Sequence, residues 1–395
     1  MVLTGRSALS GTGIEVEVSA DRVVGLRPAE VPDEAPFVAP GFIDLQVNGY
    51  RGIDYSAEMI SPDDVAEIVS LLATSGTTTH VPTIITNSRE RILQSIATVA
   101  AGLASPRAAE LPGGIDGAVA GIHIEGPYIS EEDGPRGAHD ARFVRDPSIA
   151  EYEQWQEAAD GRITIVTLAP ERQGALPFIE RLAADGVVVG IGHTRAEPSL
   201  IAEAVAAGAR LSTHIGNGSP LQMPRLHNHL WPQLADDRLA AGLVADGFHV
   251  PLEFVQVVFR AKGEDNVILV SDVAPLAGYE PGRHSWGSIE VEVFADGHLQ
   301  VADTEYLAGA GYLLDRCIAE FAGIAAGVVS GSGGLSAAVR GATVNPARLL
   351  GLTDFAGGLA LGARANLVLF RTGVASPLSI RRVVRNGVIV VDTHD

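Results

Sequence analysis

Cysteine is almost missing from this 395-residue chain, in which Cys317 stands alone. An intrachain disulfide is therefore excluded, and a reducing, cytoplasmic compartment is the simpler expectation. Positive charge is scarce as well. Only 28 basic residues face 48 acidic ones, for a formal net charge of −20. That balance opposes attachment to nucleic acid or to an anionic membrane and offers no basic patch for reading either. Any anionic substrate would need a local basic pocket. The first residues, MVLTGRSALSGTGIEVEV, lack the apolar core of a secretory signal and alternate like a strand instead. Phe321–Val339 is free of charge, but its interior VVSGSGGLS predicts a helix, a loop and a new helix rather than a membrane span. A soluble protein is expected, and no repeat or low-complexity tract is found.

What is present is apolar and rich in glycine: 46% hydrophobic residues, 45 glycines and 19% charged residues. This composition suits a compact α/β protein. The length fits two or three domains, or one large barrel with an appendage. Both ends read as short β segments, IEVEVSADRVVGLRP near the start and ANLVLF (365–370) and IRRVVRNGVIVVD (380–392) near the end. The last is a hairpin around Asn386-Gly387. The termini are therefore expected to meet in a small β-sandwich domain, residues 1–39 with 361–395, around a middle domain of residues 40–360.

In that middle, eight apolar runs alternate with helical patterns: 42–48, 78–85, 118–126, 163–170, 187–193, 210–214, 240–247 and 266–272. Predicted helices include 62–75, 89–103, 178–185, 199–207 and 252–262. Strands apolar on both faces and alternating with helices over this length fit a (β/α)8 TIM-like barrel better than an open sheet. The long polar segment Gly126–Arg145 reads as a substrate loop or lid. Ile289–Val301 reads as an inserted hairpin turning at Asp296-Gly297.

One βαβ unit, VVVGIGHTRAEPSLIAEAVAAGARLSTHIGN (187–217), organises the chemistry. Parallel strands end at the same edge of the sheet, so His193 and His214 should emerge side by side. Converging imidazoles suggest a metal or catalytic site; the plainer alternative is two histidines that satisfy local hydrogen bonds. Other strand ends supply Glu125, His249 and Asp272. One carboxylate and two imidazoles suit zinc with three protein ligands, leaving a position for a water whose pKa the metal lowers. Asp272 is placed to take the water's proton and return it to a leaving amine. A strand-end salt bridge is the alternative for Glu125 alone, and an ordinary strand-end acid for Asp272 alone.

The motifs HIEGPY (123–128), GHT (192–194), THIGNG (213–218), ADGFHV (245–250) and SDVAPLAG (271–278), with PGFIDLQVNG (40–49) and NPARLLGL (345–352), resemble N-acetylglucosamine-6-phosphate deacetylases of the amidohydrolase superfamily. The resemblance spans nearly the whole chain. It implies a metal-dependent TIM barrel with a β-sandwich from both termini, as a homodimer. It further implies Glu125, His193 and His214 as ligands of one divalent ion per chain, zinc first, with iron, cobalt or manganese as alternatives. Asp272 would be general base and then acid, His139 in RGAH the histidine that polarises the substrate carbonyl, and His249 a sugar contact. Asn217, Gly218 and Leu307 would lie along the substrate.

Several residues depart from the pattern. Many amidohydrolases carry His-X-His after the first strand, where this chain has Gln46-Val47-Asn48, so the resemblance is to the single-metal branch. In the segment SPLQMPRLHNHLWPQL (219–234), Arg225 is the only candidate for a phosphate-binding arginine; a solvated loop charge is its alternative. His227-Asn228-His229, between prolines, reads as loop rather than metal pair. Ala310 stands where relatives often place serine, and SDVAP is shorter than their common spacing. The expected reaction is removal of the N-acetyl group from an amino sugar, N-acetylglucosamine-6-phosphate first. The alternatives are an unphosphorylated or differently configured N-acetyl sugar, another N-acyl compound, or a metal- or sugar-binding barrel without turnover.

Overall fold

Eight strands follow one another around a single parallel sheet: Phe42–Val47, Thr77–Ile85, Ile122–Glu125, Ile163–Leu168, Val188–Ile191, Leu211–Ser212, Ala240–Leu243 and Val267–Leu269. They are seen in a computed structural model that describes residues 1–329, 333–352, 359–373 and 377–393. The first strand, FIDLQV, is buried at every position, its polar residues Asp44 and Gln46 included. The barrel closes just past the end of the eighth strand. There Asp272 N donates to Gln46 O and Asn48 N to Val273 O, both at 3.0 Å, and Val47 bridges Val273 in parallel.

Local chemistry sets the helix ends. Ser61 caps Pro62–Ala73 in a reciprocal box with Asp64, satisfying first-turn donors that would otherwise be orphaned. Pro198–Ala207 stops at Gly208, whose φ of 125° suits glycine. The predicted eighth-strand approach helix, 252–262, extends to Asn266 across a kink at Gly263. The inner and outer layers are filled by aliphatic side chains, with Tyr128 stacked on Trp155 at 5.3 Å between centroids.

Both ends of the chain share one seven-stranded sheet. Its order is 388–392, 379–385, 367–371, 37–40, 2–7, 13–19, 22–28. The hairpin at Asn386-Gly387 has positive φ at both residues, 48° and 76°, the geometry that favours this dipeptide. The expected hairpin at 289–301 is present as Ile289–Val293 paired with Leu299–Val301, and a third strand, Gly282–Trp286, joins it. In the charge-free stretch, helices Leu314–Ala326 and Gly333–Gly341 flank the expected loop, of which 330–332 lie outside the described residues. Positions 374–376 and 394–395 of the C-terminal segment lie outside them too. Among the described residues, no helix is long and apolar enough to cross a membrane.

Candidate active site

At the C-terminal rim of the barrel, three ligand atoms of Glu125, His193 and His214 lie within 4.8 Å of one another, all buried. The Nε2 atoms of the two histidines are 3.0 Å apart. Glu125 Oε1 is 2.9 Å from His214 Nε2 and 3.2 Å from His193 Nε2. The side-by-side placement expected of the βαβ unit is thus realised. Three lone-pair atoms aimed at one point, two imidazole and one carboxylate, form the donor set of a catalytic zinc site, and the residues present fit such an ion. His193 Nδ1 lies 2.8 Å from the carbonyl of Pro135; donation there directs Nε2 to the centre.

His193, His214 and Asp272 have φ of 50°, 29° and 54°. Each such non-glycine residue costs of order 1–3 kcal/mol, and strain of this kind gathers at functional sites. The ladders end at Ile191 and Ser212, two residues before His193 and His214: there the left-handed residue turns the chain and swings its side chain over the rim.

Asp272 is buried beside this cluster. Its Oδ1 accepts from Gln46 Nε2 at 3.0 Å and Asn48 Nδ2 at 2.8 Å. Burial, and then the charge of Glu125, raise its pKa. Glu125 behaves oppositely: burial opposes its charge, but hydrogen bonds to His193 and His214 hold its carboxyl well below the usual range. His139, carried by the segment after the third strand, brings Nε2 to 3.2 Å from His193 Nε2 and Nδ1 to 2.7 Å from Thr86 Oγ1. Burial, reinforced by His193, pushes His139 down to about 3, so this ring is neutral.

These residues form the floor of a cavity of about 930 Å³, whose walls include Asn217, Gly218, His249 and Leu307. His249 Nδ1 is bound to Asp246 Oδ2 at 2.8 Å. Arg225 is exposed and is not part of the wall. His229 is buried against Ser219 Oγ at 3.0 Å, and Asn228 Nδ2 reaches Pro224 O; this segment adds nothing to the metal cluster.

Sequence reasoning missed several participants. Gln46 and Asn48 stand where many amidohydrolases carry a metal-binding His-X-His, and their amides are instead the donors on Asp272. Alternation along FIDLQVN would have signalled that both face the barrel interior. Thr86 and Asp246 orient His139 and His249, and ADGFHV contained the latter clue. Trp286 and Ser288 line the cavity because the inserted sheet folds over its mouth, for which no local signal exists.

The amidohydrolase family profile matches residues 312–390. The chain is 32% identical over 358 residues to the N-acetylglucosamine-6-phosphate deacetylase of Danio rerio, covering 87% of this chain and 83% of that one. It is 34% identical over 352 residues to that of Homo sapiens, covering 84% and 79%. Among solved structures, N-acetyl-D-glucosamine-6-phosphate deacetylase from Mycobacterium smegmatis, in complex with N-acetyl-D-glucosamine-6-phosphate, matches with a TM-score of 0.86 and 31% identity over 99% of both chains. Motifs, barrel, rim cluster and relatives converge, and the chain belongs to the N-acetylglucosamine-6-phosphate deacetylase family of amidohydrolases.

Proposed function

We propose that this enzyme hydrolyses the N-acetyl group of N-acetylglucosamine-6-phosphate, giving glucosamine-6-phosphate and acetate. The observation that carries the reading is the meeting of Glu125, His193, His214 and Asp272 at the floor of one cavity. The first three would hold one divalent ion, zinc before iron, cobalt or manganese on donor type. When bound, such an ion supplies Lewis acidity to the acetamide carbonyl and acidifies water.

The chain's own groups do the rest. Asp272 Oδ1 is held by two amides, which leaves the other oxygen to take a proton from water and hand it to the departing amine. A raised pKa, from burial first and Glu125 second, suits a carboxylate that must carry that proton. Thr86 can donate to Nδ1 of the neutral His139, so that Nε2–H faces the developing oxyanion. Asn217, Gly218, His249 and Leu307 would contact the sugar. In this reading the seven-stranded sheet corresponds to a small domain of residues 1–39 and 361–395 beside a catalytic domain of 40–360. The exposed apolar side chains Leu221, Leu226 and Trp231 suit a homodimer contact, and the single buried Cys317 suits the cytoplasm.

One observation favours a second substrate, the unphosphorylated sugar. The arginines on the cavity wall, Arg91 and Arg142, face carboxylates of this chain: Arg91 Nη2 is 3.5 Å from Glu58 and Arg142 Nε 3.0 Å from Asp140. Arg225 would then be a solvated loop charge.

Acetate release from N-acetylglucosamine with and without the 6-phosphate, by protein of known metal content, tests the reading. Release that needs about one ion per chain and prefers the phosphorylated sugar is expected. Negligible preference for phosphate selects the second substrate, and metal-replete protein inactive on a broad panel of N-acyl compounds overturns both.

A further inference from the structure

We propose that Gln46 and Asn48 are positioning residues: together they hold one oxygen of Asp272 so that the other is free for proton transfer, and Gln46 alone also aligns the ligand Glu125. The inference rests on the deacetylase reading above. Gln46 and Asn48 are two residues apart at the end of the first barrel strand, so both side chains point inward, and both are buried. The Gln46 amide nitrogen lies 2.9 Å from Glu125 Oε1 and 3.0 Å from Asp272 Oδ1. An NH2 group has two protons, one for each carboxylate. Asn48 Nδ2 lies 2.8 Å from the same Asp272 Oδ1, and among the described residues no hydrogen bond joins it to Glu125. Among the described residues, no hydrogen bond ends on Asp272 Oδ2.

The backbone fixes this arrangement. Asp272 N and Ser271 Oγ both donate to Gln46 O, at 3.0 and 3.3 Å, where the barrel closes. Two buried carboxylates so close need donors between them. Uncharged amides serve this purpose without competing for the ion, because they are poor ligands beside imidazoles. Asp272 is thereby prevented from turning its free oxygen away from the cavity, and Glu125 Oε1 from leaving the metal-facing orientation.

The different reach of the two amides gives a test. Asn48→Leu keeps the branched skeleton and Gln46→Met approximately the length, and both remove the donors; Asn48→Asp is a second variant that keeps size and shape. Three readouts are taken on the full chain: kcat and KM for acetate release, the zinc dissociation constant by competition with a chromophoric chelator, and thermal unfolding of the metal-free protein. All three variants are expected to lose about 10–100-fold in kcat with KM changed by less than about threefold. Zinc affinity should fall about tenfold or more in Gln46→Met and stay within about threefold of wild type in Asn48→Leu. Unchanged kcat in the Asn48 variants, or equal loss of zinc affinity in Asn48→Leu and Gln46→Met, would overturn the inference. Wild-type protein without turnover on any N-acyl sugar sinks the deacetylase reading instead. The zinc constants are read without turnover, so a Gln46 variant binding zinc like wild type still overturns the present proposal alone.

Discussion

Asp246 holds His249 at both ring and backbone: its Oδ2 lies 2.8 Å from His249 Nδ1, and its Oδ1 accepts the backbone N–H of His249 at 3.0 Å and that of the preceding Phe248 at 2.9 Å. A carboxylate on Nδ1 fixes both the tautomer and the ring plane, leaving Nε2 for the cavity. Burial opposes the charge of Asp246, yet the His249 contact still holds its pKa below the ordinary value.

The first prediction follows from that grip. Asp246→Ala should lower kcat/KM for the N-acetyl sugar by about tenfold or more, as the loss of an orienting partner does, and destabilise the fold by about 1–3 kcal/mol through the freed backbone donors. Steady-state kinetics and denaturant unfolding measure the two effects. An Asp246→Ala protein with wild-type kcat/KM would show that His249 needs no orientation.

Gly218 lies under His193, and its φ is 55°. A Cβ there would meet His193 Nδ1 at 2.8 Å and His193 Cα at 3.1 Å. Since His193 Nδ1 must remain on Pro135 O to aim its ring, Gly218→Ala should push the ligand off line. A loss of about tenfold or more in zinc affinity is expected, together with about 1 kcal/mol or more of stability from the strained backbone. Titration with zinc against a competing chelator gives the first number; unchanged affinity would mean that the ring adapts.

Acid should weaken the barrel through His80, far from the rim. Its Nε2 takes the Tyr55 hydroxyl at 2.8 Å and its Nδ1 faces Ala118 O at 3.1 Å, an arrangement for the neutral ring. Burial pushes its pKa down from 6.5 to about 3. The unfolded chain binds this proton below 6.5 and the native one does not. Stability from His80 is therefore complete above that pH and declines as pH falls toward about 3, by up to about 1.4 kcal/mol per pH unit. His80→Gln should flatten the curve of unfolding free energy against pH by about that slope between pH 6 and 4. Parallel curves for the two proteins would refute the assignment.

The chain showed its barrel plainly because both faces of each strand are buried: all eight apolar runs became barrel strands, most of them shorter than expected, two of them ending just before His193 and His214, which take positive φ. Glu125, His193, His214 and Asp272 were visible for the same reason, since each terminates an apolar run. Partners supplied across the barrel were harder to see. Gln46 meets Glu125 and Asp272 over separations of 79 and 226 residues, contacts that only closure creates. Strand Gly282–Trp286 went unrecognised because its sequence, GRHSW, is mostly polar and partly exposed. Arg225 illustrates the converse: an arginine at the expected place in sequence lies exposed and away from the cavity wall, since position along a loop does not fix direction.

Asp272→Asn tests the central claim most directly. The amide keeps the size of the side chain and removes its ability to accept and return a proton, while Glu125, His193 and His214 are untouched. In protein shown to retain its ion, turnover of N-acetylglucosamine-6-phosphate should fall by at least about 100-fold, the lower range for loss of a general acid–base group. Turnover near wild type in the metal-replete variant would contradict the assignment of Asp272 as the proton carrier.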